Sequence, residues 1–247
     1  MLTEKELYQK VLVGLLKVPG FTRSMLDGRI GKPGQECVPY LYVQGENYVY
    51  ECYERGQRIK HKTTQNQTIA MYWVYESLIF ALAFKYELEH RNPLQDNRRL
   101  AFAKMSEWFL LIGTPFIEIW EQQLNHTLAI APYSDDIHKI LFLANEYEKM
   151  VKKLNHLPKA FSNKGKNAVA AICNRRFRSP SGGMQNPLWS VQQMSKRIRT
   201  IRQELGKHPV TPAIAAFNQD YERLVDVMIY VDTMQPDKES KKGGKKE

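Results

Sequence analysis

Glu87 and His90 stand three residues apart, the spacing with which carboxylate-bridged dimetal bundles direct two ligands at one ion. They share a stretch in which Glu76, Phe80, Ala83, Phe84 and Arg91 recur at steps of three and four. On a helix such steps fall on one face. A carboxylate on a mostly apolar face is pushed up by burial and pulled down by a nearby cation, so Glu87 must find a cation or become neutral. Arg91 is one turn away, and Arg98 or Arg99 could fold back across the Asn92-Pro93 corner. The group is then either an ion-pair network pinning two helices or a polar pocket that contacts a partner. Dimetal chemistry needs a second such pair on an opposed helix. Asp135-x-x-His138 has the spacing, but Asp135 sits at a helix start, so neither a metal nor another cofactor is expected.

Other chemistries find less support. His61, His90, His126, His138, His156 and His208 are scattered without an HxxxH or HExxH pair, and Ser162, Ser179, Ser181 and Ser190 lack a nucleophile-elbow context. The stretch from Ser162 to Asn167 is glycine- and lysine-bearing, yet it lacks the glycine spacing and preceding strand of a phosphate loop. No catalytic residue is assigned, and the chain is expected not to be an enzyme. Cys37, Cys52 and Cys173 are odd in number and far apart, which draws neither a disulfide framework nor a CxxC knuckle. Apolar runs stop short of the roughly 18 residues of a membrane span, and the Thr3-Glu4-Lys5-Glu6 start is unlike a secretory leader. A soluble cytoplasmic chain with no membrane partner is expected.

Charge separates the chain into parts. Between residues 137 and 207, fifteen lysines and arginines face three glutamates, whereas acids and bases nearly cancel before residue 137. Such asymmetry suits an acidic partner. Arg175, Arg176 and Arg178 flank Phe177, and Lys196, Arg197, Arg199 and Arg202 fall on consecutive turns of one predicted helix. This is the electrostatic footprint of a nucleic-acid binder without a recognisable reader motif, and equally that of a solvated basic face.

The elements that would position these groups follow from periodicity. Leu7, Val11, Leu12, Leu15 and Leu16 predict a helix from about Glu4, stopped by Pro19-Gly20, and glycines 28, 31 and 34 predict an open loop. The period then changes to two. Tyr40 and Tyr42 alternate with Leu41 and Val43, Tyr48 to Tyr53 follow, and Gly45-Glu46 and Arg55-Gly56 occupy the hairpin positions, so residues 40–62 predict an antiparallel meander. A long helix over about 66–91 backs it, with further helices at about 96–111, 116–128, 137–154, 188–205 and 212–231. An irregular stretch is expected at 158–187, and disorder beyond residue 235. The tyrosines of the meander could stack nucleic-acid bases, but Glu46, Glu51 and Glu54 would repel phosphate, which favours ordinary sheet packing. The fold class is α+β, a short antiparallel meander backed by helices and followed by an all-α basic region. The expected division is 1–136, 137–234 and a tail at 235–247.

Several pieces between about residues 39 and 136 occur in a definite order. They are Tyr48-Val49-Tyr50 leading to Glu54-Arg55-Gly56, then Lys62-Thr63-Thr64, Tyr72-Trp73, Phe80, Tyr86-Glu87-Leu88 with His90-Arg91, Asp96 with Arg98-Arg99, and Trp120. In order and spacing this block resembles the Immunity protein 63 family of bacterial polymorphic-toxin systems. The resemblance implies a non-enzymatic protein that binds and neutralises a cognate toxin domain by occlusion. The expected partner-binding residues are Tyr53, Glu54, Arg55, Glu87, His90, Arg91, Arg98 and Arg99. The chain departs from the family pattern by a helix and Gly-rich loop in front and a basic extension behind, whose sign is wrong for mimicry of nucleic acid.

Overall fold

A computed structural model describes residues 1–31, 36–155, 187–207, 210 and 212–235. The chain divides into two compact units, Met1–Asn92 with Asp96–Tyr133, and Pro93–Gln95 with Ser134–Glu247.

The first unit opens with helix α1, Glu4–Leu15, started by a reciprocal capping box in which the Thr3 hydroxyl and the Glu6 carboxylate each accept a backbone N–H of the other's residue. Its Leu7, Val11, Leu12 and Leu15 are buried. A short 3-10 turn, Arg23–Leu26, precedes the expected open loop, in which Ile30 makes a parallel bridge to Leu41. Strands β1 (Tyr40–Gln44), β2 (Asn47–Glu54) and β3 (Gln57–Thr64) form an antiparallel sheet in the order β1-β2-β3. Gly45 has φ 59° in the first turn, and Arg55 and Gly56 have φ 49° and 75° in the second. Two consecutive positive φ values are what a type I′ hairpin turn requires.

Helix α2, Gln67–Glu89, is capped by the Asn66 side chain, which accepts from the N–H groups of Thr68 and Ile69. It is apolar on most of its circumference and buried along its length, with Tyr48, Tyr50 and Leu41 of the sheet and helices α3 (Asn97–Ile112) and α4 (Thr114–Ile130) sharing its core. By length and composition α2 could cross a bilayer, and 56% of its most apolar window is buried inside the protein, so core packing accounts for its apolarity. Aromatic contacts tie the layers together. Tyr72 stacks on Phe109 at 5.3 Å, Phe109 on Trp120 at 5.8 Å, and the Trp120 indole donates to Ser106 Oγ at 2.8 Å. Gly14 lets α1 approach α2, because a Cβ there would strike the Tyr75 phenol, with its Cζ only 2.9 Å away.

The second unit contains helices α5 (Asp135–Asn155), α6 (Pro187–Leu205) and α7 (Pro212–Thr233), whose Leu143, Ile198, Leu205, Leu224, Met228 and Val231 form a separate core. The α+β class with a helical C-terminal region is therefore as read from the sequence. The stretch expected to be irregular and the tail expected to be disordered lie almost wholly outside the described residues.

Candidate functional site on the outer face of the sheet

Alternation along β2 divides the sheet. Tyr48, Tyr50 and Cys52 point to the face covered by α2, while Val49, Glu51 and Tyr53 point to the other. Opposite Val49 and Glu51 on β1 stand Tyr42 and Tyr40, and opposite Glu51 on β3 stands His61.

That last pairing depends on a bulge. Counted back from the Arg55-Gly56 turn, an unbroken ladder would put Lys60 opposite Glu51 and turn His61 inward. The register shifts between Cys52 and Tyr53, leaving Ile59 as the extra residue, so that Tyr53 pairs with Arg58 but Glu51 pairs with His61. A one-residue shift exchanges the two faces of a strand. Lys60 consequently turns inward, its Nζ 5.3 Å from the Tyr50 ring centroid, and His61 turns outward.

Glu51 becomes the centre of a closed cluster. His61 Nδ1 donates to its Oε1 at 2.8 Å, and Arg58 Nη1 donates to the same oxygen at 3.2 Å. The hydroxyls of Tyr40, Tyr42 and Tyr53 all donate to Oε2, at 3.4, 3.3 and 3.4 Å. Three donors on one oxygen exceed its two lone pairs, which explains why these bonds are long, and the imidazole is the closest partner. The carboxylate side chain is 5% exposed, against 50% for Arg58 and 42% for His61. Burial pushes the Glu51 carboxyl up, but the hydrogen bonds from His61, Arg58 and Tyr42 together outweigh it and leave the group below its ordinary value. Burial, then the Glu51 charge, raises the Tyr40 and Tyr42 phenols. The two rings stack at 5.7 Å beside the carboxylate.

Of the residues expected to bind a partner, Tyr53 joins this cluster, Glu54 is exposed opposite Gln57, and Arg55 forms the hairpin tip. The remaining five lie at the end of α2 and start of α3. Arg91 grips Glu87 through two bonds of 2.7 and 2.8 Å, with Glu87 1% exposed, so this carboxylate holds its own helix end. His90 stacks on Tyr86 at 4.0 Å and donates from Nδ1 to the Tyr86 carbonyl at 2.9 Å. Arg98 binds Asp96, not Glu87, and donates to the carbonyls of Ala131 and Pro132 at 2.9 and 2.8 Å. Arg98 and Arg99 both cover the Tyr133 ring. Glu87 thus pairs at the end of α2, without the arginine expected to fold back across the Asn92-Pro93 corner, and Arg98 instead pins the start of α3 to the segment after α4. Among the described residues no three histidine, cysteine or acidic side chains gather as a metal ion requires.

In the basic region, Arg175, Arg176 and Arg178 lie outside the described residues. On α6, Lys196 is exposed, Arg199 pairs with Asp232, and Arg202 pairs with Glu222 at 2.6 Å while covering the Tyr221 ring at 4.1 Å. Two of the candidate phosphate contacts are thus engaged within the helical unit. Elsewhere in the first unit a groove of about 220 Å³ runs between Pro19-Gly20 and Leu82, Tyr86 and Trp108, with Lys104 and Glu107 joined at 2.7 Å on its wall.

Sequence reasoning missed Glu51, Arg58 and His61 as a group. Residues 44–126 match the family model for Immunity protein 63, inside the 39–136 stretch that carries the resemblance. No curated protein and no solved structure matches the chain.

Proposed function

We propose that this protein is an immunity protein that binds a cognate bacterial toxin domain and neutralises it by stoichiometric occlusion, without turning over a substrate. The observation that carries the reading is the family match over residues 44–126. That stretch holds β2, β3, α2, α3 and most of α4, so it includes Glu51 with Tyr53, Arg58 and His61, though not Tyr40 and Tyr42, and the scaffold behind them. Occlusion asks for a preformed face on a rigid support, and a sheet backed by a buried helix supplies one. The enclosed Glu51 carboxylate also agrees with binding. Each of its donors is already engaged, which orders the surface but presents no unpaired nucleophile.

The test is neutralisation at defined stoichiometry. The C-terminal domain encoded by the reading frame adjacent to this one is expressed with and without the protein, and its toxicity and complex formation are measured. Protection that reaches completion at one copy per toxin, with a stable one-to-one complex, is expected. Full protection at a small fraction of that ratio would mean turnover and would reject occlusion.

A further inference from the structure

An approaching surface meets, on the outer face of the sheet, what Glu51 holds in place, because the carboxylate itself is covered. Arg58 is half exposed and uses Nη1 on Glu51, and among the described residues its Nε and Nη2 make no hydrogen bond. Those two nitrogens form the second edge of the guanidinium fork, whose planar spacing matches a carboxylate. Tyr53 lies 36% exposed beside it, and Tyr40 and Tyr42 form a stacked floor. Ile59, extruded by the bulge, is 57% exposed. At the hairpin tip Arg55 holds a left-handed backbone, which disfavours an L side chain.

Aromatic rings around an arginine, on a rigid face with little lysine, are the make-up of protein–protein hot spots. A nucleic-acid track would instead need several cations in a row. Here Arg58 shares the face with Glu51 and His61 and not with a row of cations. Arg58 already balances the Glu51 charge, so what this face offers is the open Nε/Nη2 edge of one guanidinium, whose planar complement is a carboxylate.

We propose, resting on the immunity reading above, that the outer face of β1-β2-β3 is where the toxin domain is held, and that Arg58 receives a carboxylate side chain of that domain. Glu51 is a positioning residue that fixes the guanidinium, while Tyr53 and Ile59 close the contact around it.

The experiment is a calorimetric titration of the full chain with the C-terminal domain of the adjacent reading frame, with thermal unfolding recorded for every variant. Arg58→Ala should raise Kd at least about thirtyfold. Arg58→Lys, which keeps the charge and loses the fork, should recover only part of that, and Glu118→Ala on exposed α4 should bind as the parent does. Arg58→Ala with the parental Kd and an unshifted thermal transition would overturn this surface and leave the immunity reading standing. Absence of any complex with the parent protein would overturn the reading and the surface together. Binding of a DNA or RNA oligonucleotide that is lost in Arg58→Ala would also overturn the proposal, by assigning the fork to phosphate.

Discussion

Glu51 shows how a charge placed on the open side of a sheet can be buried by its own neighbours. Its folded-state value lies below the ordinary 4.5, so folding favours the ionised form. The stability this adds is fully present above about pH 4.5 and disappears as the pH falls through the depressed folded value. Glu51→Gln should therefore lower the unfolding free energy at pH 7 by about 2 kcal/mol, the scale of a hydrogen bond to a charged group. Its deficit against the parent should shrink steadily below pH 4.5. Chemical denaturation at several pH values reads this directly, and a deficit that stays constant to pH 3 would show that the carboxylate charge is not what Glu51 supplies. None of this was legible in the sequence. Alternation places Glu51 on the outer face, but Tyr40, Arg58 and His61 converge on it only once strand register is known. By contrast Glu87 with Arg91 was legible, because an i, i+4 pair on an apolar helix needs only helical geometry to be brought together.

The elements themselves were readable because their signals are local. The Arg55-Gly56 turn, the long helix ending before Asn92-Pro93 and the two hairpins were all visible in spacing and turn chemistry. The bulge was not, since Ile59 continues the strand pattern as any β-branched residue would. Arg55 in its left-handed conformation gives one test of the turn. Arg55→Asn, which completes the favoured Asn-Gly pair, should stabilise the protein by about 0.5–1 kcal/mol in denaturant unfolding. No gain would mean that the arginine has compensating contacts. The α1–α2 contact gives a second. Gly14→Ala sets a methyl against the Tyr75 ring and should lower stability by about 1–3 kcal/mol. Tyr75→Phe removes the hydroxyl in the way, together with its 3.2 Å bond to the Lys10 carbonyl. In a double-mutant cycle the pair should therefore be less damaging than the sum of the single changes. Strict additivity would show that α1 shifts away from α2 to accept the methyl.

At the scale of the whole molecule, two separate apolar cores argue that the chain holds two folding units, and the family match falls within the first apart from Pro93–Gln95. The charge asymmetry has a different place in the sequence, because the fifteen bases between residues 137 and 207 follow the matched stretch, and those described on α6 belong to the helical unit. There Arg199 and Arg202 face Asp232 and Glu222, and Arg223 faces Glu146 at 3.0 Å, so part of that basic surface is tied to acids of neighbouring helices. Net charge along a sequence could not reveal those pairs, which join positions some twenty to eighty residues apart. If the binding face belongs to the first unit, a chain ending at Tyr133 should still unfold in one cooperative transition, since it keeps the sheet, α1 to α4 and their shared core. In calorimetric titration it should also hold the toxin domain with a Kd within about threefold of the full chain, well under the tenfold that each 1.4 kcal/mol of lost contact would produce. A cooperatively folded fragment that binds tenfold or more weakly would assign part of the toxin contact to the helical unit, and its basic residues would then enter the interface.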